Sequence, residues 1–559
     1  MSKFDHKVLV VGSGAGGAMA AYTLTKLGHK VLLLEAGRDY DPKTESPMFR
    51  RNSEAPLMGA GTKDKSFGFY DATVDGGWQV PDEPYTNAKG TDFYWWRARM
   101  LGGRTNHWGR YSLRFSEHDF KGKSQDGQGA DWPFVYEDIA PWYDKTEELV
   151  GICGTNTGLD DMPPSAPGVL QPPPTPRVPE LLIAASAKKL GIAAVPMHRA
   201  VLTRNKDDRM ACFYATPCGS GCSIGAAFQT TTSLLPMAMA TGNLKIVTDA
   251  MVKSVAVNDA GKVTGVTYVE KKSVTEHTLS ADVVILAASA CESARILLNS
   301  KTAKHPKGLA NSSDQVGRNL MDSTGAWLGA QIPALKGRPR YNEDGHTGNH
   351  LFIPWWGHKA HAKGELDFPR GYHFEISSGF NQPGSGVSGD KQGYGPALKQ
   401  QVRDAYGSYV GFALRGEMLP NKDTYMEIDE TVKDKWGIPV SKFHFRWSDR
   451  ELKQIEHGLK TAKQILENMG AKVGKLPSAE KAISKGGEII HEVGTTRMGS
   501  SPKESVTNQW GQTWECENLF IMDAGVFASN PHKNCTLTIM TLAMRNSTWL
   551  AKQIEKGVL

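Results

Sequence analysis

The chain has no apolar run approaching the roughly 18 to 20 residues that a membrane-crossing helix requires, so it does not span a bilayer unaided. It also has little surplus of either charge. Lys and Arg number 65 against 59 Asp and Glu in 559 residues, without basic clusters, so nothing points to nucleic acid. Cysteine is scarce and odd in count, seven in all, which excludes a disulfide framework and fits thiols or thiolate ligands. The opening MSKFDHKVLVVGSG lacks the basic, apolar and cleavage regions of a secretory leader, so export is expected to depend on a partner's signal. No internal repeat is present. The remainder, 40% hydrophobic and 22% charged, is globular in composition. It is too long for one compact core, which predicts two lobes or one elaborated α/β domain with an insertion.

The first 37 residues read as a βαβ unit. An apolar strand at 7–11 leads into Gly12, Gly14 and Gly17, a helix starts near Gly16, and a second strand covers 31–34. The three glycines form G-x-G-x-x-G, which lets bare backbone approach a pyrophosphate at the positive end of a helix. Glu35 follows Gly12 by 23 residues and is placed to accept hydrogen bonds from a ribose diol. This unit predicts a dinucleotide and leaves FAD and NAD open.

Further along, residues 39–94 are rich in Gly, Pro, Asp and Lys, as surface excursions are. LQPPPTPRVPE at 170–180 reads as a stiff connector, followed by a helix at 181–190. Apolar stretches at 244–257 and 262–269 predict a hairpin around an Asp-Ala-Gly turn, and 281–289 a buried strand feeding a helix. From 323 onward the text turns to aromatic-rich strands and an amphipathic helix at 449–469, read as a substrate-side insertion. The tail from 489 returns to the nucleotide lobe. The domain reading is therefore 1–322 with 488–559, carrying excursions at 39–94 and 116–200 and a cysteine loop at 212–226, around an insertion at 323–487. Trp95, Trp96, Trp355 and Trp356 suit stacking on sugar rings, though such residues more often build a core.

Cys212, Cys218 and Cys222 lie within eleven residues. Three thiolates on a glycine-bearing loop, CGSGC, can wrap a small iron-sulfur cluster. Zinc would want a fourth ligand, for which His198 is at hand, and unreactive thiols are the third reading.

Several separated segments resemble the glucose-methanol-choline (GMC) oxidoreductases: VVGSGAGGAMAAYTLTKLGHKVLLLEAG, MLGGRTNHWGR, ILAASACESARILLNS, VGRNLMD, HEVGTTRMG and LFIMDAGVFASNPHKNCTLTIMTLAMR. The resemblance implies an α/β fold with a Rossmann-like FAD-binding domain and an inserted substrate domain built on an antiparallel sheet. It implies hydride transfer from a carbinol carbon to flavin, with His491 as base and Asn534, 43 residues on, as its partner. His532 is a rival. The same likeness assigns Gly102, Gly103, Asn106 and His107 to a flavin-facing loop, with a covalent flavin link at His107 left open. It sets Asp523 and Gly525 beside the phosphate and ribityl chain, and Val252 beside adenine. The cysteine loop resembles the segment that holds a [3Fe-4S] cluster in bacterial FAD-dependent sugar dehydrogenases, chiefly glucoside 3-dehydrogenases. That implies a sugar or glucoside oxidised at C3, a small subunit carrying an export signal, a c-type cytochrome acceptor and a periplasmic location. Cytoplasmic residence follows if there is no exporting partner. An oxygen-using oxidase, a glucose, gluconate or sorbitol dehydrogenase, and a noncatalytic flavoprotein are the competing readings.

Overall fold

The computed structural model describes residues 7–45, 76–214, 218–339, 349–379 and 393–559. Val8–Val11 and Val31–Leu34 are unbroken aliphatic runs, buried along their whole length, as strands of a parallel sheet covered on both faces must be. They sit at the centre of a five-stranded parallel sheet ordered Leu519–Ile521, Val283–Leu286, Val8–Val11, Val31–Leu34, Leu244–Val247. The helix Ala15–Lys26 packs so closely on this sheet that a Cβ on Gly16 would lie 1.8 Å from the Met522 carbonyl oxygen. A Cβ on Gly17 would lie 1.9 Å from that of Gly12.

The stretch 244–257, expected as one arm of a hairpin, is two strands. Asp249 turns the chain at φ 57°, so Leu244–Val247 joins the parallel sheet, while Ala250–Val257 pairs with Val263–Glu270 in a separate antiparallel sheet. The expected strand and helix at 281–299 are Val283–Leu286 and Ala290–Asn299. The helix expected at 181–190 runs Val178–Lys188, because Pro179 fits the first turn, where no N–H partner is needed. Of the excursion at 39–94, residues 46–75 lie outside those described.

The insertion is a five-stranded antiparallel sheet ordered Thr324–Gln331, Tyr409–Gly416, Tyr372–Ser377, Leu351–Ile353, Val195–Pro196. Its last strand comes from before residue 323, and Pro439–His444 pairs with Thr86–Asn87, so the insertion is stitched to both excursions. Across the sheet lies the helix Asp449–Asn468, started by a capping box of Ser448 and Glu451. It buries Ile455, Leu459, Ala462, Ile465 and Leu466, one stripe at helical spacing. Trp355 and Trp356 pack in this core against Tyr372, so they brace the insertion. Among the described residues no helix is long and apolar enough to cross a membrane.

Because a backbone carbonyl cannot yield as a side chain can, Gly16→Ala is expected to lower stability by about 1–3 kcal/mol. A fall in the urea midpoint with parallel loss of retained flavin would be seen, and an unchanged midpoint would contradict the packing.

Candidate active site

One cavity of about 510 Å³ runs along the carboxyl edge of the parallel sheet into the insertion. Three helices, Ala15–Lys26, Ala290–Asn299 and Thr536–Glu555, begin at its wall, and none has a side-chain cap at its N-terminus. Their first N–H groups and positive dipole ends therefore converge where a pyrophosphate would sit. The residues fit the group. Gly14 lines the cavity, and a Cβ there would meet nothing within 4 Å. Glu35 accepts the Ser13 N–H at 3.0 Å and its hydroxyl at 2.5 Å, leaving its carboxylate at the cavity wall. The Ser13 hydroxyl in turn accepts the Gly102 N–H at 2.8 Å, which ties the flavin-facing loop to the glycine turn. Gly102 and Gly103 sit at φ 85° and 50°, where a side chain would be strained.

At the insertion end the wall is His491, Asn534, Glu375 and Arg415. The His491 N–H donates to Asp322 Oδ1 at 2.9 Å, and its carbonyl accepts from Asn530 Nδ2 at 3.3 Å. Just before it, Ile490 adopts φ 64°, a left-handed conformation that costs a β-branched residue roughly 1–3 kcal/mol. That strain is held so that the ring points inward. Nδ1 lies 3.0 Å from Ser323 Oγ, and Nε2 lies 3.5 Å from Asn534 Nδ2, which can only donate. The proton therefore sits on Nδ1 and Nε2 presents a lone pair. Burial, followed by the nearby Arg415, His373 and Arg104 charges against the opposing pull of Glu375, drives the ring's pKa down to about 3, so it is neutral near pH 7. Asn534 also donates to Glu375 Oε1 at 3.1 Å, and its own Oδ1 is buried with no partner among the described residues. Burial alone would raise the Glu375 carboxyl, but Arg415 at 3.4 Å, with His373 and Asn534, holds it at about 2.

The three clustered cysteines gather in one apolar pocket with Val201, Ala226 and Ala227. All are free thiols, and burial pushes Cys212 up to about 12 and Cys222 upward. Among the described residues no group of three His, Cys, Asp or Glu side chains is drawn in to metal-ligating geometry. Yet two buried guanidiniums face the sulfurs. Arg110 donates only to backbone carbonyls, including Cys218 O at 2.6 Å, and burial pushes its pKa down to about 10. Arg199 Nη2 stands 3.8 Å from Cys218 Sγ. Neither is paired with a carboxylate among the described residues. His198 is engaged elsewhere, with Nε2 on the Thr155 carbonyl at 2.9 Å, so it does not complete a zinc site.

Of the residues expected from sequence, Gly12, Gly14, Glu35, Gly103, His107, Val252, Asp523, His491, Asn534 and Cys218 line the cavity. Gly17, Gly102, Asn106, Gly525, Cys212 and Cys222 stand behind the wall. Asn106 braces the flavin-facing loop through Leu101 O, and the Gly525 N–H closes on Asp523 Oδ1 at 2.8 Å. His107 Nε2 accepts the Trp96 indole N–H at 2.9 Å, and Trp96 is the only one of the four expected tryptophans at the cavity. His532 lies behind Asn534, off the cavity. Glu375, Arg415, Arg104, Arg110 and Arg199 were not anticipated. For Glu375 a signal existed: His373 and Glu375 alternate within an otherwise apolar strand and so share one face.

With Nε2 as the base, His491→Ala is expected to keep its flavin and to slow donor-driven flavin bleaching by about 10²–10⁴. The neutral ring is the active form, so in the wild type kcat/KM falls only as pH drops toward about 3. An acid limb assigned to His491 near pH 6.5 would contradict the burial.

Two family profiles described as GMC oxidoreductase match residues 7–324 and 420–543. The chain is 28% identical to a 2-methyl-1,2-propanediol dehydrogenase of Mycolicibacterium austroafricanum, covering 98% of this chain and 95% of that one. It is 24% identical to the fructose dehydrogenase large subunit of Gluconobacter japonicus, over 98% of both. Its fold superposes on an Aspergillus oryzae formate oxidase with a TM-score of 0.67 at 14% identity, covering 100% of each chain. Together with a cavity built for a dinucleotide and a neutral imidazole at its end, these matches make the chain a member of the GMC oxidoreductase family, an FAD-dependent enzyme acting on CH–OH groups.

Proposed function

We propose that the protein is a sugar dehydrogenase that oxidises a secondary hydroxyl of a glucoside or disaccharide, at C3, and releases electrons through a [3Fe-4S] cluster. The observation that carries the dehydrogenase chemistry is the unprotonated Nε2 of His491 facing Asn534 Nδ2 at the cavity wall. His491 takes the hydroxyl proton, and the Asn534 amide steadies the alkoxide charge that develops. FAD, when bound, supplies the hydride acceptor. Glu375, Arg415 and Tyr111 add hydrogen-bonding groups to the same wall, which suits a polyhydroxylated ring better than a simple alcohol.

Cys212, Cys218 and Cys222 would hold the cluster, with Arg110 and Arg199 balancing its negative charge. Such a cluster supplies a one-electron outlet. Cys218 and Gly219 line the flavin cavity, so the outlet would adjoin it. One relative is named as a large subunit, which supports a multisubunit assembly here. The assembly proposed has a small subunit carrying the export signal, a c-type cytochrome acceptor and a periplasmic location.

A visible spectrum, an iron assay and artificial-dye reduction over glucosides, free sugars and polyols test this reading. About three irons per flavin are expected, with bleaching fastest on glucosides. Cys212→Ser should lose iron and cytochrome reduction while dye reduction falls less. Peroxide on aerobic turnover with no iron would select an oxygen-using oxidase instead.

A further inference from the structure

Behind the cavity wall, four buried titratable groups stand in line. Glu375, on the wall, lies 3.7 Å from His373 Nε2, a buried nitrogen with no hydrogen-bond partner among the described residues. His373 Nδ1 faces His532 Nδ1 at 3.3 Å, His532 Nε2 faces Asp161 Oδ1 at 3.3 Å, and the same oxygen faces His358 Nε2 at 3.2 Å. His373 is wholly enclosed and the His532 side chain is 3% exposed, but that of His358 is 21% exposed and stacks on the half-buried His118. The line thus runs from the cavity to the surface.

The partners count the protons. Two contacts are hydrogen bonds, and each takes one proton: Asp161 only accepts, so His532 Nε2 carries one, and His373 Nδ1 donates the other to His532 Nδ1. At 3.7 Å from Glu375, His373 Nε2 makes no hydrogen bond, so both rings are neutral at rest and that nitrogen is open to receive a proton. The flanking carboxylates have cations of their own: Arg415 faces Glu375, and Lys533 bridges Asp161 at 2.9 Å and Asp119 at 2.5 Å.

We propose that Glu375, His373, His532 and Asp161 form a proton path that carries the substrate's hydroxyl proton from the cavity to His358 and the solvent. The proposal rests on the dehydrogenase reading above. In each oxidation the carbinol carbon loses a hydride with its bonding pair to the flavin, and the oxygen loses a proton to His491. A substrate hydroxyl or water spanning the cavity passes that proton to Glu375. One proton enters at His373 Nε2, one leaves at His532 Nε2 through Asp161, and tautomer exchange resets the rings. No further oxidant or reductant takes part.

Anaerobic stopped-flow with a pH-indicator dye, following flavin bleaching in the same trace, tests the path on the holoenzyme. The wild type should release its proton in step with bleaching. In His358→Ala and His532→Gln, bleaching should persist while proton release lags by about tenfold or more. Added imidazole should restore His358→Ala, which a structural defect would not allow. Proton release in step with bleaching in His358→Ala would overturn the path. Ring ¹⁵N NMR of the oxidised enzyme needs no donor and so decides the proton count apart from the substrate reading. Protons on His373 Nδ1 and His532 Nε2 alone are expected near pH 7, and a resting proton on His373 Nε2, which would close the entry, would overturn the proposal. A flavin that no donor bleaches would sink the dehydrogenase reading instead.

Discussion

Everything at the site depends on three helices that start at one cavity without a side-chain cap. Helix ends are ordinarily satisfied by Ser, Thr, Asp or Asn side chains, and leaving several donors open in one place is unfavourable until an anion fills it. The parallel sheet makes this arrangement compulsory. Strands entering from one edge must deliver their helices at the other, so Gly14, Ser289 and Cys535 meet although hundreds of residues separate them. Ser289 accepts φ 88° to make that turn.

The catalytic corner depends on distant segments in the same way. His491 owes its tautomer and acceptor role to Asn534, the partner of its Nδ1 to Ser323, and its direction to Asp322 and the strained Ile490. Asn534 is oriented by Glu375, which the insertion provides. The insertion therefore does more than shape a substrate pocket: through Glu375 and Arg415 it sets the electrostatics in which the imidazole works.

The glycine turn, Glu35, the aliphatic strands and the amphipathic helix at 449–468 could be read from the sequence because each is a local pattern with one physical solution. Where reading by pattern went astray, tertiary context decided. The apolar text at 244–257 contains no glycine or proline to mark its break, and the turn at Asp249 exists because the two halves pair with different sheets. Trp355 and Trp356 look the same whether they face a sugar or Tyr372. Arg110 and Arg199 carry no local mark at all, since the Cys218 carbonyl and sulfur that they face lie 108 and 19 residues away.

The fifth strand of the nucleotide sheet is Leu519–Ile521, and Asn534 to Ile539 complete the cavity wall. A ribosome must therefore have made residues 519–539 before the cofactor can be gripped. Until then Val283–Leu286 presents an unpaired aliphatic edge, the kind of exposed strand that invites wrong pairing in a slowly assembling, non-local topology. Holding the nascent chain in that state is work suited to a chaperone, and flavin capture becomes the step that seals the fold.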